Sequence, residues 1–192
     1  MKKIIICFFV LFSSVFLCGA TDRNYVIDAE ANAARHNNMG IRYLQEKYYF
    51  GAIKEFEIAI NLNPNSQAAA VYFNNLGRTY MIIGYPELAE TKFRMALRKY
   101  PLNFEYYINL VESYGKQNIL SEKLKYHKKM RKSNLDDITI ALLYGALGQT
   151  KTEVTLLDEF CNNEPDLIIT PAIRKYVFEQ AKYIQYSGKN LK

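Results

Sequence analysis

The fold is decided by the stretch from Phe73 to Pro101, which reads FNNLGRTYMIIGYPELAETKFRMALRKYP. Large apolar side chains alternate with small residues at fixed offsets along it. The positions that form the pattern are Phe73, Leu76, Gly77, Tyr80, Gly84, Ala89, Phe93, Ala96 and Pro101. Offsets of three and four residues place side chains on one face of a helix, so the stretch predicts two amphipathic helices joined by a tight turn. The glycine and alanine positions leave gaps that the aromatic rings are sized to fill.

The same pattern occurs 37 residues earlier in the chain, with Gly40 in the place of Gly77. Its positions are filled, in order, by His36, Met39, Gly40, Tyr43, Ala52, Phe56, Ala59 and Pro64. One offset that aligns glycine, tyrosine, alanine, phenylalanine and proline together indicates an internal repeat.

Two later copies are less regular. The third lies 34 residues after the quoted stretch, where Tyr107, Leu110 and Tyr114 keep their positions but Val111, Lys123, His127 and Leu135 replace glycine, alanine, phenylalanine and proline. The fourth lies another 30 residues on, with Ile140, Ala141, Tyr144, Gly148, Leu157 and Pro165 in the corresponding places. Apolar residues at helical spacing predict helices in both copies.

The spacing resembles the tetratricopeptide repeat, a family of stacked helix pairs. The resemblance implies an all-α, right-handed α-solenoid of antiparallel helix pairs, about three to four units long, with nine helices and no sheet. We expect the units at about 33–66, 70–103, 104–135 and 136–166. A capping helix at about 171–187 should cover the last apolar face, with Thr170 and Pro171 at its start and Gly188 at its end.

The first twenty residues are predicted to be a signal peptide. Lys2 and Lys3 precede an apolar run from Ile4 to Leu17, and the small residues Cys18-Gly19-Ala20 follow it. The run is short for a membrane span and ends in small residues, which is typical of a cleaved secretory signal. Cleavage after Ala20, lipidation of Cys18 and an uncleaved anchor remain alternatives. The chain is expected to be exported, and to be periplasmic or tethered to the outer membrane.

Charge and cysteine content favour an ordinary packed domain. The whole chain carries a net charge of +6, and loss of Lys2 and Lys3 would leave 23 basic and 19 acidic residues, or +4. So small an excess does not require a nucleic-acid partner, and we expect none. Cys161 is predicted to be a small buried apolar residue, because it follows Leu157 at helical spacing.

No catalytic or cofactor motif is found in the sequence. It lacks a phosphate-binding glycine loop, a zinc-protease motif, a nucleophile elbow and a dinucleotide fingerprint. His36 and His127 both lie at packing positions, without Cys, Asp or Glu at ligand spacing. The sequence therefore predicts no enzyme, no metal site and no cofactor.

The resemblance implies a partner-binding groove lined by the first helix of each pair. The positions beside the packing residues are Asn37, Asn38 and Ile41, then Val71, Asn74, Asn75 and Arg78, then Glu105, Asn109, Glu112 and Lys116. Asn38, Asn75 and Asn109 occupy one equivalent position. An asparagine there can donate to and accept from an extended peptide. The alternative is that these amides cap or bridge neighbouring helices.

A basic stretch runs from Lys123 to Lys132, KLKYHKKMRK. It is either a solvated outer helix face or a contact for anionic lipid headgroups or an acidic partner. The first functional hypothesis is a non-enzymatic module of the bacterial cell envelope that holds a peptide or helix of another protein. The alternatives are a lipid-anchored structural component of an outer-membrane or pilus assembly complex, and an accessory subunit of an enzyme.

Overall fold

The computed structural model describes residues 29–189, with side chains as far as residue 185, and every regular element in this range is an α-helix. The helices are α1 (29–45), α2 (Tyr49–Leu62), α3 (Ala69–Ile82), α4 (Pro86–Lys99), α5 (Phe104–Lys116), α6 (Leu120–Met130), α7 (Leu135–Ala146), α8 (Thr150–Asn163) and α9 (Thr170–Lys189). The all-α class built from helix pairs is confirmed. The predicted signal segment, including Cys18, lies outside the described residues.

The chain divides into two compact units after Pro64. In the first unit, the described helices α1 and α2 form one pair, which we call the first repeat. Gly40 on α1 lies so close to the buried Phe56 ring on α2 that an added Cβ would be 2.6 Å from Cε1. The predicted gap and its aromatic partner are therefore both present.

The second unit begins with α3 and α4, the second repeat, and repeats this contact. An added Cβ at Gly77 would lie 2.6 Å from Cε1 of the fully buried Phe93 ring. Ala89 and Ala96, one turn to either side of Phe93 on α4, are also fully buried. Close helix packing here depends on a residue without a side chain opposite a large flat one.

The same turn joins the two helices of all four repeats, the third being α5–α6 and the fourth α7–α8. One residue in each turn has a positive φ: Lys47 (61°), Gly84 (84°), Asn118 (58°) and Gly148 (81°). In each, the following amide donates to the carbonyl of the tyrosine at the predicted position, namely Tyr43, Tyr80, Tyr114 and Tyr144. This geometry is a helix C-terminal motif that favours glycine. It recurs at equivalent positions in all four repeats.

A single apolar core runs through the later helices of the second unit. Its most deeply buried members include Phe93, Tyr114, Ile138, Leu143, Leu157, Cys161, Ile169 and Ile173. Cys161 is fully buried and unpaired, as the sequence predicts for a packing residue. No described helix has the length and apolar character needed to cross a membrane.

The last helix differs slightly from its expected limits. Helix α9 begins at Thr170 and continues to Lys189, so Gly188 lies inside it. The Thr170 hydroxyl donates to the carbonyl of Glu164, 2.5 Å away, and ties the preceding loop to the helix start. Ile169 and Ile173 are buried in the core, so α9 covers the fourth repeat as expected of a capping helix.

Candidate partner-binding face

In the second unit, the first helix of each pair is α3, α5 or α7. Helix α5 contacts both α3 and α7, so the three lie side by side in that order. We call the polar stripe along α3 and α5 the partner face, and define it by Asn74, Arg78, Glu105, Asn109, Glu112 and Lys116. Successive members on one helix are three or four residues apart, so they share one side of it. Two direct contacts join the helices across this stripe.

The first contact is a hydrogen bond between two predicted site residues. The Asn109 amide nitrogen donates to the Asn74 side-chain oxygen at 2.9 Å. Asn74 is 4% exposed, and Asn75 beside it is 9% exposed. The sequence allowed these amides either to contact a peptide or to bridge neighbouring helices. Asn74 and Asn109 form such a bridge.

The second contact is an ion pair one turn further along. Arg78 Nη1 lies 3.6 Å from Glu105 Oε1, and each side chain is about half exposed (52% and 54%). An exposed pair at this distance contributes about 0–1 kcal/mol to stability, because water screens it. Both groups can therefore exchange this contact for one with a partner at little cost.

The remaining predicted residues of α5, Glu112 and Lys116, are exposed. Glu112 lies at the edge of a pocket of about 370 Å³ between α5, α7, α8 and α9. Ile108, Val111 and Leu142 form its apolar walls. Its polar lining consists of Glu112, Thr150, Glu153, Tyr176 and Gln180.

Glu153 is the functional candidate that the sequence reasoning missed. It is 3% exposed, and its Oε1 accepts a hydrogen bond of 2.7 Å from the Tyr176 hydroxyl. Burial raises the pKa of its carboxyl, and the bond from Tyr176 opposes that shift. Gly145 provides the space, because an added Cβ there would overlap the Glu153 carboxyl.

A signal for Glu153 does exist in the repeat pattern. Ala52 and Ala89 stand twelve residues after Gly40 and Gly77, and we call this position the alanine slot. Counting from Val111 and Ala141, the third and fourth repeats carry Lys123 and Glu153 in it. A charge at a position that otherwise holds a buried methyl group marks a site with special chemistry.

Lys123 is paired within the chain. Its ammonium lies 2.9 Å from Glu90 Oε1 on α4 and 4.9 Å from the centroid of the Tyr114 ring. Both partners are largely buried, with side chains 19% and 13% exposed. The expected cost of a buried lysine is thereby offset by a carboxylate that the sequence pattern did not reveal.

Most of the basic stretch Lys123–Lys132 is exposed, and some of its exposed side chains also form contacts within the chain. Lys128 contacts the Tyr144 hydroxyl at 3.2 Å, and Arg131 forms a two-pronged contact with Asp137. Lys125, Lys129 and Lys132 are exposed. Helix α6 has no fully buried residue, so most of this stretch is a solvated outer surface.

The two histidines have different surroundings. His127 contacts the Tyr114 hydroxyl at 3.4 Å, and burial lowers its pKa, which favours the neutral ring. His36 Nδ1 lies 2.6 Å from Glu55 Oε2 on α2, a pairing that sequence spacing did not indicate. Within residues 29–185, no three His, Cys, Asp or Glu side chains converge as a metal site.

The first repeat places its predicted residues less uniformly. Asn37 is 7% exposed, whereas Asn38 is exposed on the surface of α1. Ile41 is half-buried, and Val71 at the start of α3 is exposed. Of the asparagines proposed for partner contact within the described range, Asn38 alone is exposed.

Comparison with known proteins gives structural neighbours only. No family model matches the chain, and no curated protein matches it. Solved structures similar to it include the tetratricopeptide-repeat domain of OM64 from Arabidopsis (13% identity, 79% of this chain and 98% of that one, TM-score 0.43). Two others are MamA (16% identity, 80% and 88%, TM-score 0.48) and YrrB, a tetratricopeptide-repeat protein with an unusual peptide-binding site (18%, 86% and 87%, TM-score 0.45). The fold assignment rests on the helix pairs themselves.

Proposed function

We propose that this chain is a non-enzymatic interaction module of the bacterial cell envelope that holds a peptide or helix of another protein against the partner face. The observation that carries the proposal is the bridged stripe on α3 and α5. The Asn74–Asn109 bond fixes the spacing of the two helices. Around that bond, charged side chains of both signs remain exposed, and a preformed polar surface binds with a smaller ordering cost than a flexible one.

The contacts are assigned by exposure. Arg78, Glu105, Glu112 and Lys116 present charged groups to solvent and would meet the partner directly. Asn38, which is exposed on the first repeat, is a separate candidate contact of that unit. The buried amides of Asn37, Asn74 and Asn75 would act through the position of their helices, because little of each side chain is open to a ligand.

The test is photocrosslinking in cells. A benzophenone amino acid placed at Arg78 or Lys116 should capture one envelope protein, identified by mass spectrometry. The matched control is Arg98, an exposed arginine on the second helix α4. Equal capture of the same protein from position 98, or none from 78 and 116 in a folded chain, would refute the partner face.

A triple variant tests whether the exposed charges of the partner face are needed for binding. Arg78→Ala with Glu112→Ala and Lys116→Ala should release the captured protein while helical circular dichroism is unchanged, because all three side chains are exposed. Arg98→Ala with Glu87→Ala and Lys151→Ala removes the same charges from second helices and should leave binding intact. Binding that survives the first triple change would contradict the proposal.

The alternative function is a lipid-anchored structural component of an outer-membrane or pilus assembly complex. Its support is Cys18 at the end of the predicted signal, since a lipidated cysteine at the mature N-terminus tethers a protein to a membrane. Mass spectrometry of the mature N-terminus distinguishes the two. A diacylated Cys18 supports the tether, and a free Thr21 removes it.

A further inference from the structure

The pocket beside Glu112 has a feature that a packing role does not explain. Glu153 lines it and is almost fully removed from water. A buried carboxylate is costly unless a cation or several donors compensate it. In the described part of the chain, its one hydrogen bond is from Tyr176, and no Lys, Arg or His lies within ion-pair distance.

The third repeat shows how this fold compensates such a charge. Lys123 occupies the same alanine slot and is met by Glu90 at 2.9 Å and by the face of Tyr114. In the fourth repeat, Glu153 also has a tyrosine contact, here from Tyr176. The surrounding helices, however, supply no positive charge to Glu153. The position of that missing charge is the pocket itself, because the pocket is the open space next to the Glu153 carboxyl.

The carboxylates that line the pocket are not balanced by any basic lining residue. Glu112 on α5, which is exposed, and Glu153 on α8, which is buried, both line it. Ile108, Val111 and Leu142 form its apolar lining. A pocket lined by apolar side chains and two carboxylates matches a side chain with an aliphatic stem and a cationic end.

We propose that this pocket binds one basic side chain, lysine or arginine, of the partner that the proposed function assigns to the partner face. The stem lies along the walls formed by α5 and α7, and the cationic group bridges Glu153 and Glu112. Gly145 admits the carboxyl, and Tyr176 holds it in place. Because Glu112 belongs to the partner face, the pocket sets which residue of the partner is required there.

The test uses three small probes that differ at the end of one side chain: the N-acetyl, N-methylamide forms of arginine, lysine and norleucine. Binding is followed by the amide resonances of Gly145 and Gln180 in ¹H–¹⁵N spectra of the chain expressed from Thr21. The arginine or lysine probe should shift both resonances in a saturable manner. The norleucine probe, which has the stem without the charge, should bind at least roughly tenfold more weakly.

Three variants show which carboxylate binds the basic probe. Glu153→Gln keeps the shape of the side chain and should weaken the better basic probe by roughly tenfold or more. Glu112→Gln should weaken it less, because that carboxylate is exposed. Glu159→Gln is the matched control, since it removes an exposed carboxylate from the same helix outside this pocket.

Three results would overturn the proposal: equal shifts with norleucine, no shift at Gly145 or Gln180 with either basic probe, or unchanged affinity in a folded E153Q protein. The probes bind without the natural partner, so this experiment and the crosslinking experiment fail independently. Probe binding without crosslinks would retain the cation pocket and remove the partner face. Crosslinks without probe binding would retain the face and remove the pocket.

Discussion

Gly77 and Phe93 show at the scale of single residues how tightly the repeat is built. The fully buried ring occupies the space that a side chain at position 77 would need. Small-to-large changes in a close-packed interior force neighbouring atoms to move and cost about 1–3 kcal/mol. Gly115 on α5 is different, because an added Cβ there meets nothing within 4 Å.

This contrast gives a paired prediction. Gly77→Ala should lower the free energy of unfolding by about 1–2 kcal/mol, because overpacking outweighs the gain in helix propensity. Gly115→Ala should raise it by up to about 1 kcal/mol, since only the propensity gain remains. Urea denaturation followed by circular dichroism measures both. A stabilised G77A protein would show that the ring can move aside.

Glu153 predicts a pH dependence of stability. Burial raises the pKa of its carboxyl in the folded protein above that of the unfolded chain. The unfolded chain therefore loses this proton first, and stability falls as pH rises from the unfolded pKa through the folded one. Glu153→Gln does not titrate. The free energy of unfolding of E153Q, relative to that of the natural chain, should thus increase as the pH rises above about 4, where the carboxyl of the unfolded chain ionises.

The measurement is urea denaturation of both proteins at a series of pH values, with E159Q as the exposed counterpart. The E159Q difference should be flat or nearly so, because the Glu159 side chain is exposed on α8. A flat E153Q difference would mean that the Glu153 carboxyl is not destabilised by its burial.

At the scale of elements, the four turns use one backbone conformation with different residues. Gly84 and Gly148 adopt positive φ without steric cost, whereas Lys47 and Asn118 carry a Cβ in the same conformation. The left-handed region costs most non-glycine residues about 1–2 kcal/mol, and asparagine less. The first and third repeats therefore hold strain in their turns that the second and fourth do not.

Replacing these residues by glycine should release that strain. Lys47→Gly should raise the free energy of unfolding by about 0.5–1 kcal/mol, and Asn118→Gly by a smaller amount, after subtraction of the entropy that glycine adds to the unfolded chain. Gly84→Ala should have the opposite effect. Thermal and urea denaturation would show the order. A destabilised K47G protein would imply a Lys47 side-chain contact that outweighs the backbone term.

The pair formed by Glu90 and Lys123 links helix α6 to α4. Helix α6 has no fully buried residue, and this ion pair holds it together with Leu120 and Leu124, which pack partly buried against the core. Glu90→Gln leaves a largely buried ammonium without its counter-charge and should destabilise the protein by about 1–3 kcal/mol. Removing both charges, with Lys123→Met added, should restore most of the loss.

Hydrogen exchange localises the effect. In E90Q, amides across Leu120–Met130 should exchange faster, while those of α4 remain close to their natural rates. The exposed Glu87, one turn earlier on α4, provides the control E87Q. Uniformly faster exchange over the second unit would mean that the pair supports the whole core and not α6 alone.

In the whole molecule, contacts within one helix pair could be predicted from the sequence, whereas contacts between different pairs could not. Packing positions recur with the repeat, so Gly40 with Phe56 and Gly77 with Phe93 follow from spacing, as does the turn at Gly148. Contacts between different helix pairs do not recur. Lys123 and Tyr176 find their partners through the stacking of successive pairs, which no single period encodes. The role of Asn109 could not be predicted either, because its hydrogen bond to Asn74 joins two different helix pairs.

The need for a cap is a prediction at this scale. Ile169, just before helix α9, and Ile173, within it, are buried in the core that contains Cys161. A chain ending at Leu167 would expose that core, because the last pair of a stacked array has no further neighbour. Its Cys161 thiol should react with a thiol reagent at least roughly tenfold faster than in the full chain. Equal rates would mean that the fourth repeat closes its core without α9.

The alanine slot has a further consequence for how the chain responds to its surroundings. In the first two repeats a buried methyl group sets the local contact between helices, and such contacts are indifferent to salt and acidity. In the last two repeats a charge stands in that place, so its contacts depend on counter-ions, protons and whatever cation reaches Glu153. The alanine slot is thus insensitive to the medium in the first two repeats, and in the last two it can respond to the composition of the medium.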